Sequence, residues 1–236
     1  MANAAPEPLQ LSVIIPALNE AVAITATLQA LQPMRARGHE IIVVDGGSSD
    51  NTVELSRPLA DRGIQSRAGR ATQMRAGAAL AAGSVLWFLH ADTTAPPDAD
   101  RLIIQALQPK PAGWGRFDVQ LSQTRLLLKC VAWMMNQRSR LSGITTGDQG
   151  LFVTRSRYDA VGGFPEIALM EDIALSRALR HYGRPAVIQQ PLASSPRRWL
   201  AHGVLRTILR MWMLRLGYFL GVKPERLAAY YAVHRS

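Results

Sequence analysis

Three stretches determine the fold of this chain: LSVIIPALNE (residues 11–20), IIVVDGGSSDNT (41–52) and VLWFLHADT (85–93). Each begins with a continuous run of β-branched, aliphatic or aromatic residues, which is typical of strands buried on both faces of a parallel sheet. Segments of helical composition lie around them, at residues 20–34, 50–61 and 71–82. This order predicts an α/β fold, a Rossmann-like, mostly parallel sheet flanked by helices.

Polar residues follow each of these strands, and ligands of parallel sheets bind at the carboxyl ends of the strands. The candidates are Pro16, Ala17, Asn19 and Glu20 after the first strand, Asp45, Gly46, Ser48 and Asp50 after the second, and His90, Ala91 and Asp92 after the third. We expect them to converge on one crevice. Taken alone, DGGSSD is as often an ordinary turn as a binding loop. It also lacks the glycine spacing of the known phosphate-binding loops.

Asp92 is the strongest metal-binding candidate. A divalent cation that bridges a diphosphate takes one or two protein oxygens and fills its remaining positions with phosphate and water, and Asp92 can supply such an oxygen. His90 could be a second ligand, although a lone histidine after an apolar strand more often packs and forms hydrogen bonds. The single cysteine, Cys130, excludes a disulfide framework and a thiolate metal cluster.

Beyond residue 109 the pattern changes. Residues 117–121 alternate and predict an antiparallel strand, and 124–140 predict a helix. A strand at 151–154, a helix at 173–182 and a last strand at 186–188 follow.

The positive charge is concentrated near the C-terminus. The 236 residues carry a net charge of +10, and residues 184–236 hold nine basic residues against one acid. As a single helix, residues 198–220 would place Arg198, His202, Arg206 and Arg210 on one stripe, with Arg215 inside the apolar arc. Such a basic amphipathic helix is typical of an anionic membrane surface; packing on protein is an equal alternative. We exclude nucleic acid as a partner, since no recognised binding module is present.

No membrane span or export signal is predicted. The longest uncharged run, residues 76–91, is shorter than the roughly 20 residues that a bilayer requires. The N-terminal MANAAPEPLQ lacks the basic and apolar regions of a secretory signal. We therefore expect a cytoplasmic protein, with the inner face of the cell membrane as a peripheral contact.

The ordered motifs resemble the inverting family 2 glycosyltransferases of GT-A fold. GRATQMRAGAALAAG (69–83), GDQGLFV (147–153) and GGFPEIALMEDIALSRAL (162–179) extend the resemblance, which covers roughly residues 9–231. The tail, RRWLAHGVLRTILRMWMLRLGYFLGV, is similar to that of short bacterial members of the radical-SAM/selenodomain-associated "transferase 2" type, linked with arsenosugar biosynthesis. The implied organisation is a catalytic domain at 9–195, with a nucleotide-binding half (9–110) and an acceptor half (111–195), and a basic helical tail at 196–236.

The resemblance implies a donor site for a nucleotide-diphosphate sugar. Pro16, Ala17, Asn19 and Glu20 would line the nucleotide and Asp45 would bind the base, with Gly46, Ser48 and Asp50 beside it. Arg70 would lie near the diphosphate, unless it is an ordinary solvated loop arginine. His90, Ala91 and Asp92 occupy the place of the family's Asp-x-Asp motif, with Asp92 on Mg²⁺ or Mn²⁺ and His90 replacing the first aspartate.

The resemblance also implies an acceptor site. Glu171 and Asp172 match the family's Glu-Asp pair, in which the aspartate is the general base that inverting transfer requires. Without the other motifs, plain capping of a helix N-terminus would explain the pair. Gly147, Asp148 and Gln149 would lie near the acceptor.

The start of the tail adds three candidates. Arg197, Arg198 and Trp199 are similar to the Arg-Trp element that closes the active site of processive relatives, so the two arginines would face the donor diphosphate. The upstream glutamine of that element is not in register, and processivity is not predicted. His202 is a candidate metal ligand.

Two functions follow from these patterns. The first is a metal-dependent inverting glycosyltransferase that transfers a sugar to a hydroxyl of a small-molecule or lipid-linked acceptor. The alternative is a non-catalytic nucleotide-sugar-binding or membrane-associated scaffold protein that retains the fold. His90 favours the second function, whereas Asp45 and the Glu171–Asp172 pair favour the first.

Overall fold

A computed structural model describes residues 9–108, 112–121 and 125–233. Its strands are β1 (Leu11–Ala17), β2 (Glu40–Asp45), β3 (Arg62–Gln65), β4 (Val85–Phe88), β5 (Thr93–Thr94), β6 (Trp114–Leu121), β7 (Phe152–Thr154) and β8 (Ala186–Ser194). Its α-helices are α1 (Ile24–Arg35), α2 (Thr52–Ser56), α3 (Arg70–Leu80), α4 (Ala99–Leu107), α5 (Leu126–Ser142), α6 (Arg155–Ala160), α7 (Glu171–Leu179), α8 (Arg197–His202), α9 (Val204–Phe219) and α10 (Pro224–Val233).

The strands form one sheet in the order β3-β2-β1-β4-β7-β6-β8-β5. The first four are parallel, and the apolar runs of β1, β2 and β4 are buried because helices cover both faces, whereas β3 at the edge is mostly exposed. Alternate residues of β1 enter different clusters, Val13 and Ile15 on one face and Ile14 on the other. The register pairs Ala17 with Asp45, so β1 and β2 end at the same edge of the sheet. The predicted α/β fold is confirmed.

The second half of the sheet differs from the prediction. Residues Phe117–Leu121 run parallel to β8, and β6 is antiparallel only to β7, through Trp114 and Gly115. The last strand continues to Ser194 because β6 and β5 supply hydrogen-bonding partners on both sides. The predicted helix at 50–61 ends at Ser56 in a 3₁₀ turn that contains Pro58. Sequence patterns did not predict α4 and α6.

The tail is not the single helix expected for residues 198–220. Gly203 has a φ of +79°, which separates α8 from α9. Leu214 and Leu227, from α9 and α10, pack with Ile144 and Ile173 in one apolar cluster. The tail helices are thereby fixed against α7.

On a membrane-bound tail helix, Arg206, Arg210 and Arg215 would be expected to face anionic lipid, and the packing corrects this expectation for two of them. Arg210 is buried, and Arg215 lines a cleft of the body. Arg206 is exposed. Within the described ranges, no helix combines the length and the apolar composition that crossing a membrane requires.

Candidate active site

A cleft of about 440 Å³ opens beyond the ends of β1 and β4 and beside the start of α7. Residues predicted from the sequence form much of its lining. They are Pro16, Ala17, Glu20, Arg70, His90, Ala91, Asp92, Gly147, Asp148, Glu171 and Asp172. The cleft therefore joins the segments after β1 and β4 with the two later motifs, whereas Asp45, Gly46, Ser48 and Asp50, expected in the same crevice, are not part of its lining.

Other predicted residues join the loops behind this lining. Asn19, with a φ of +55°, accepts a hydrogen bond at Oδ1 from the Ser49 amide at 2.8 Å, and its own amide donates to Ser48 Oγ at 2.9 Å. Gly46 donates its amide to the Ala17 carbonyl at 2.9 Å. These bonds hold the loop after β1 against the loop after β2.

The two predicted carboxylates of the second loop accept backbone hydrogen bonds. Asp45 is 7% exposed and accepts from the amides of Gly47 and Ser48. Asp50 accepts from the Ala21 amide at 3.1 Å and from both the amide and the hydroxyl of Thr52. Both carboxylates brace the wall of the cleft. Their contact with a nucleotide remains a prediction.

Gln73 positions the helix that carries Arg70. It is 4% exposed, and its amide nitrogen donates to the carbonyls of Ala17 and Val44 at 2.8 Å each. These bonds anchor the first turn of α3 to the ends of β1 and β2. Sequence patterns gave no sign of this role, because an isolated glutamine in a helix is ordinary.

Glu171 is a buried carboxyl beside a second carboxyl. Its pKa is raised from 4.5 to about 7 by burial and by Asp172, against the opposing effect of Arg70. The Arg70 Nε atom lies 4.0 Å from Glu171 Oε1. Although desolvation lowers the pKa of Arg70, the carboxylates of Glu171, Asp148 and Asp172 raise it above its ordinary value. A nearby cation such as Arg70 thus favours the charged forms of the two acids.

The stability of the protein is expected to depend on pH through Glu171. Since the folded pKa exceeds the unfolded one, the contribution of Glu171 to stability is present in full below about pH 4.5 and is lost as the pH rises through about 7. The charged form costs at most about 3 kcal/mol. Thermal unfolding from pH 4.5 to 8 should show this decline in the wild type and a weaker one in Glu171→Gln.

The exposed Glu166, 77% accessible, provides the control. Glu166→Gln should follow the wild-type curve. Parallel curves for the wild type and Glu171→Gln would contradict the assignment of the raised pKa.

Asp172 is held by its neighbours in a fixed position. The Gly147 amide donates to Asp172 Oδ2 at 2.8 Å, and the Ile173 amide donates to Oδ1 at 2.7 Å. Only glycine fits at position 147, because a Cβ there would lie 2.6 Å from Cε1 of His90 and overlap Nε2. The His90 Nδ1 atom lies 3.2 Å from Asp148 Oδ1. The imidazole therefore packs against the loop that positions Asp172.

Gln149 lies behind the cleft. It is fully buried, and its side-chain oxygen accepts a hydrogen bond from the Thr146 amide at 3.2 Å. This bond closes the 3₁₀ turn at Gly147–Gln149. Gln149 thus braces the turn that carries Gly147 and Asp148.

At the other end of the cleft, the tail contacts the strand-end segments. Arg197 Nη2 lies 2.6 Å from Glu20 Oε2, and this hydrogen bond raises the pKa of Arg197. The side chains of Arg198 and His202 lie outside the described part of the structure, so the predictions for them stay predictions.

Asp92 can contribute one oxygen to a metal ion. Its partly exposed carboxylate lines the cleft and forms no hydrogen bond or ion pair with any other described residue. No group of three or more His, Cys, Asp or Glu side chains suited to a metal occurs over the same residues. A single carboxylate fits a cation that takes its other ligands from a diphosphate and water.

The cleft also contains residues that sequence reasoning missed. They include Leu18, Gln73, Thr146, Met170, Met211, Arg215, Ala228 and Tyr231, of which the last four belong to the tail. The basic character of the tail was apparent, but the face that it turns to the cleft depends on how α9 and α10 pack.

Comparison with known proteins identifies relatives of this chain. The sequence model of the family described as Glycosyl transferase family 2 matches residues 12–141, more than half of the chain. An uncharacterized glycosyltransferase of Mycobacterium tuberculosis is 35% identical over 105 residues, 42% of this chain and 40% of that protein. Poly-beta-1,6-N-acetyl-D-glucosamine synthase of Staphylococcus aureus is 25% identical over 92% of this chain and 56% of that protein. The chain thus spans about half the length of these relatives.

Solved structures share the fold. S. aureus TarS 1–349 in complex with UDP-GlcNAc has a TM-score of 0.62 and 18% identity, over 79% of this chain and 58% of that one. Glucosyl-3-phosphoglycerate synthase of M. tuberculosis, in complex with Mn²⁺, UDP and phosphoglyceric acid, has a TM-score of 0.63 and 18% identity, over 91% and 79% respectively.

Proposed function

Because this chain belongs to glycosyl transferase family 2, we propose that it transfers a sugar from a nucleoside diphosphate sugar to an acceptor hydroxyl, with inversion at the anomeric carbon. The observation that carries the proposal is the position of Asp172. Its carboxylate lines the cleft and is held by the Gly147 amide, and the carboxylate of Asp92 lines the same cleft. A base and a cation site in one cleft are what this reaction needs.

The chemistry is a single displacement. The acceptor oxygen attacks the anomeric carbon while its proton passes to Asp172. The bond from that carbon to the diphosphate oxygen breaks, and its electron pair leaves with the nucleoside diphosphate. Because the attack comes from the face opposite the leaving group, the configuration at the anomeric carbon inverts.

Arg70 and Arg197 are suited to hold the donor, since guanidinium groups bind phosphate oxygens well. Arg70 lines the cleft, and Arg197 pairs with Glu20, another lining residue. A divalent cation, Mg²⁺ or Mn²⁺, would be held by Asp92 and would neutralise charge on the leaving group. The loops of Asn19, Asp45 and Ser48 would enclose the nucleoside.

Release of nucleoside diphosphate tests the proposal. Purified protein should bind and hydrolyse at least one of a set of UDP-, GDP- and dTDP-sugars in the presence of Mn²⁺ or Mg²⁺. Proton NMR of the first product should show the inverted anomer. Saturable donor binding without release from any of these donors would favour the scaffold alternative and contradict the proposal.

We also propose a cytoplasmic location, with the tail on the anionic inner face of the membrane, and membership of the short bacterial subset linked with arsenosugar biosynthesis. In support of membrane contact, α9 exposes apolar side chains, among them Leu205, Leu209 and Phe219, each more than half accessible. The catalytic domain would span residues 9–195 and the tail 196–236.

A further inference from the structure

An apolar groove runs between α5 and α9. Its volume is about 480 Å³, which is within the range of small-molecule sites. Its apolar lining comprises Val131, Trp133, Met134, Met135, Leu141, Trp199, Ile208, Met211 and Trp212. Trp133 and Trp212 are 62% and 63% exposed. Large aromatic side chains left open to water on both walls of a groove mark a binding surface.

The groove meets the cleft at the carboxylates. Asp92, Asp148, Met211 and Arg215 line both cavities, whereas Arg70 lines only the cleft. A molecule in the groove therefore reaches the reacting end of the cleft while a nucleotide occupies the other end.

Two arginines lie in the groove near that meeting point. Arg138 and Arg215 form no ion pair with a carboxylate of any described residue, and the nearest hydrogen-bond acceptor of Arg138 is Thr146 Oγ1 at 3.5 Å. The buried Arg138 Nε atom has no hydrogen-bond partner among the residues that the structure describes. Arg140, on the same helix, is instead paired with Asp118.

At both arginines the effect of burial outweighs the attraction of the nearby carboxylates. Burial and then the nearby Arg215 lower the pKa of Arg138 to about 10, and burial lowers the pKa of Arg215, although Asp172 and Asp148 act in the opposite direction on both. Two neighbouring, partly buried guanidinium groups repel each other, and a bound anion would stabilise both.

We propose that the groove is the acceptor subsite and that the acceptor is an anionic amphiphile. This inference rests on the proposed function. The anionic head binds Arg138 and Arg215, which brings the adjacent hydroxyl to Asp172, and the apolar body lies along Trp133 and Trp212. The two arginines are binding residues of the acceptor and leave the donor diphosphate to Arg70, Arg197 and the cation that Asp92 would hold.

Octyl phosphate is the probe, and its affinity is measured by calorimetry with UDP and Mn²⁺ present. Octyl glucoside, with the same chain and no charge, and inorganic phosphate, with no chain, are the comparison ligands. Octyl phosphate should bind at least about 10-fold more tightly than either of them. Equal affinity for octyl phosphate and inorganic phosphate would overturn the proposal, because it would indicate a simple anion site.

Variants distinguish binding of the ligand's anionic head group from binding of its octyl chain. Arg138→Gln and Arg215→Gln should each weaken the binding of octyl phosphate about 10-fold and leave the affinity for octyl glucoside unchanged. Trp133→Ala should weaken both octyl ligands. Arg57→Gln, an exposed arginine outside the groove, should change neither. If Arg138→Gln does not fold, the test uses Arg215→Gln and Arg215→Lys. The affinity of Arg215→Lys for octyl phosphate should lie between those of the wild type and Arg215→Gln.

UDP affinity distinguishes this proposal from the proposed function. In the arginine variants it should stay within about twofold of the wild type. A parallel loss of UDP and octyl phosphate binding would assign the arginines to the donor diphosphate and overturn the acceptor subsite. Unchanged octyl phosphate binding in both variants would also overturn it, while normal UDP binding would leave the proposed function standing.

Discussion

Replacing Asp172 with asparagine is expected to reduce sugar transfer by about 10³-fold, within the range that a general base contributes. The change preserves the shape of the side chain, and its carbonyl oxygen can still accept the Gly147 amide hydrogen bond. What is lost is the ability to take the acceptor's proton, together with the hydrogen bond from the Ile173 amide, because the new NH₂ group cannot accept it. The measurement is the initial rate of nucleoside diphosphate release at saturating donor.

Nucleotide affinity separates a loss of chemistry from a loss of binding. Asp172→Asn should bind UDP within about twofold of the wild type. Asp159, exposed on α6, provides a matched control, and Asp159→Asn should retain full activity. Near-wild-type turnover of Asp172→Asn would remove Asp172 from the role of base.

Substitution of Gly147 by alanine is expected to damage both stability and activity. The new Cβ would overlap the His90 ring, so either the ring or the 147–149 turn must move. Overpacking of this kind costs about 1–3 kcal/mol. Because the Gly147 amide holds Asp172, the same movement should reduce transfer about 10²-fold. Thermal unfolding and initial rates measure the two effects.

Two further variants test whether the clash with His90 causes the effects of Gly147→Ala. Gly63 has no neighbouring atoms within 4 Å of an added Cβ, so Gly63→Ala should be harmless. Shortening the histidine should relieve the clash, so Gly147→Ala combined with His90→Ala should be more stable than Gly147→Ala alone. An inactive Gly63→Ala, or no difference between the single and double variants, would refute the steric explanation.

Local patterns were sufficient for the three buried strands of the parallel half of the sheet, but not for the exposed β3. The strands β1, β2 and β4 were predictable because each is a short apolar run buried on both faces, and its burial is evident from composition. The place of the Glu171–Asp172 pair at the start of a helix was predictable because the pair lies within a recognisable motif.

The antiparallel half was not predictable from local patterns. The last strand continues through Gln189, Gln190 and Pro191, which carry little β propensity. What makes this segment a strand is pairing with β6 and β5, which are distant in the sequence. Non-local pairing of this kind leaves no periodic pattern to detect.

The position of the tail arginines depends on how the tail helices pack against the rest of the protein. Viewed as part of one continuous helix, Arg215 interrupts an apolar arc. In the structure, Leu214 and Leu227 anchor the tail against α7, and this packing turns Arg215 toward the carboxylates of the cleft. The charge excess was evident from the sequence, but its placement depends on the break at Gly203 and on these contacts.

Calorimetry of UDP binding, with and without Mn²⁺, tests most directly whether the cleft is a metal-assisted nucleoside diphosphate site. In the wild type, Mn²⁺ should tighten UDP binding at least about 10-fold, because Asp92 and the diphosphate share the cation. In Asp92→Asn the two affinities should differ by less than about twofold. Equal affinities with and without Mn²⁺ in the wild type, or full metal coupling in Asp92→Asn, would contradict the site.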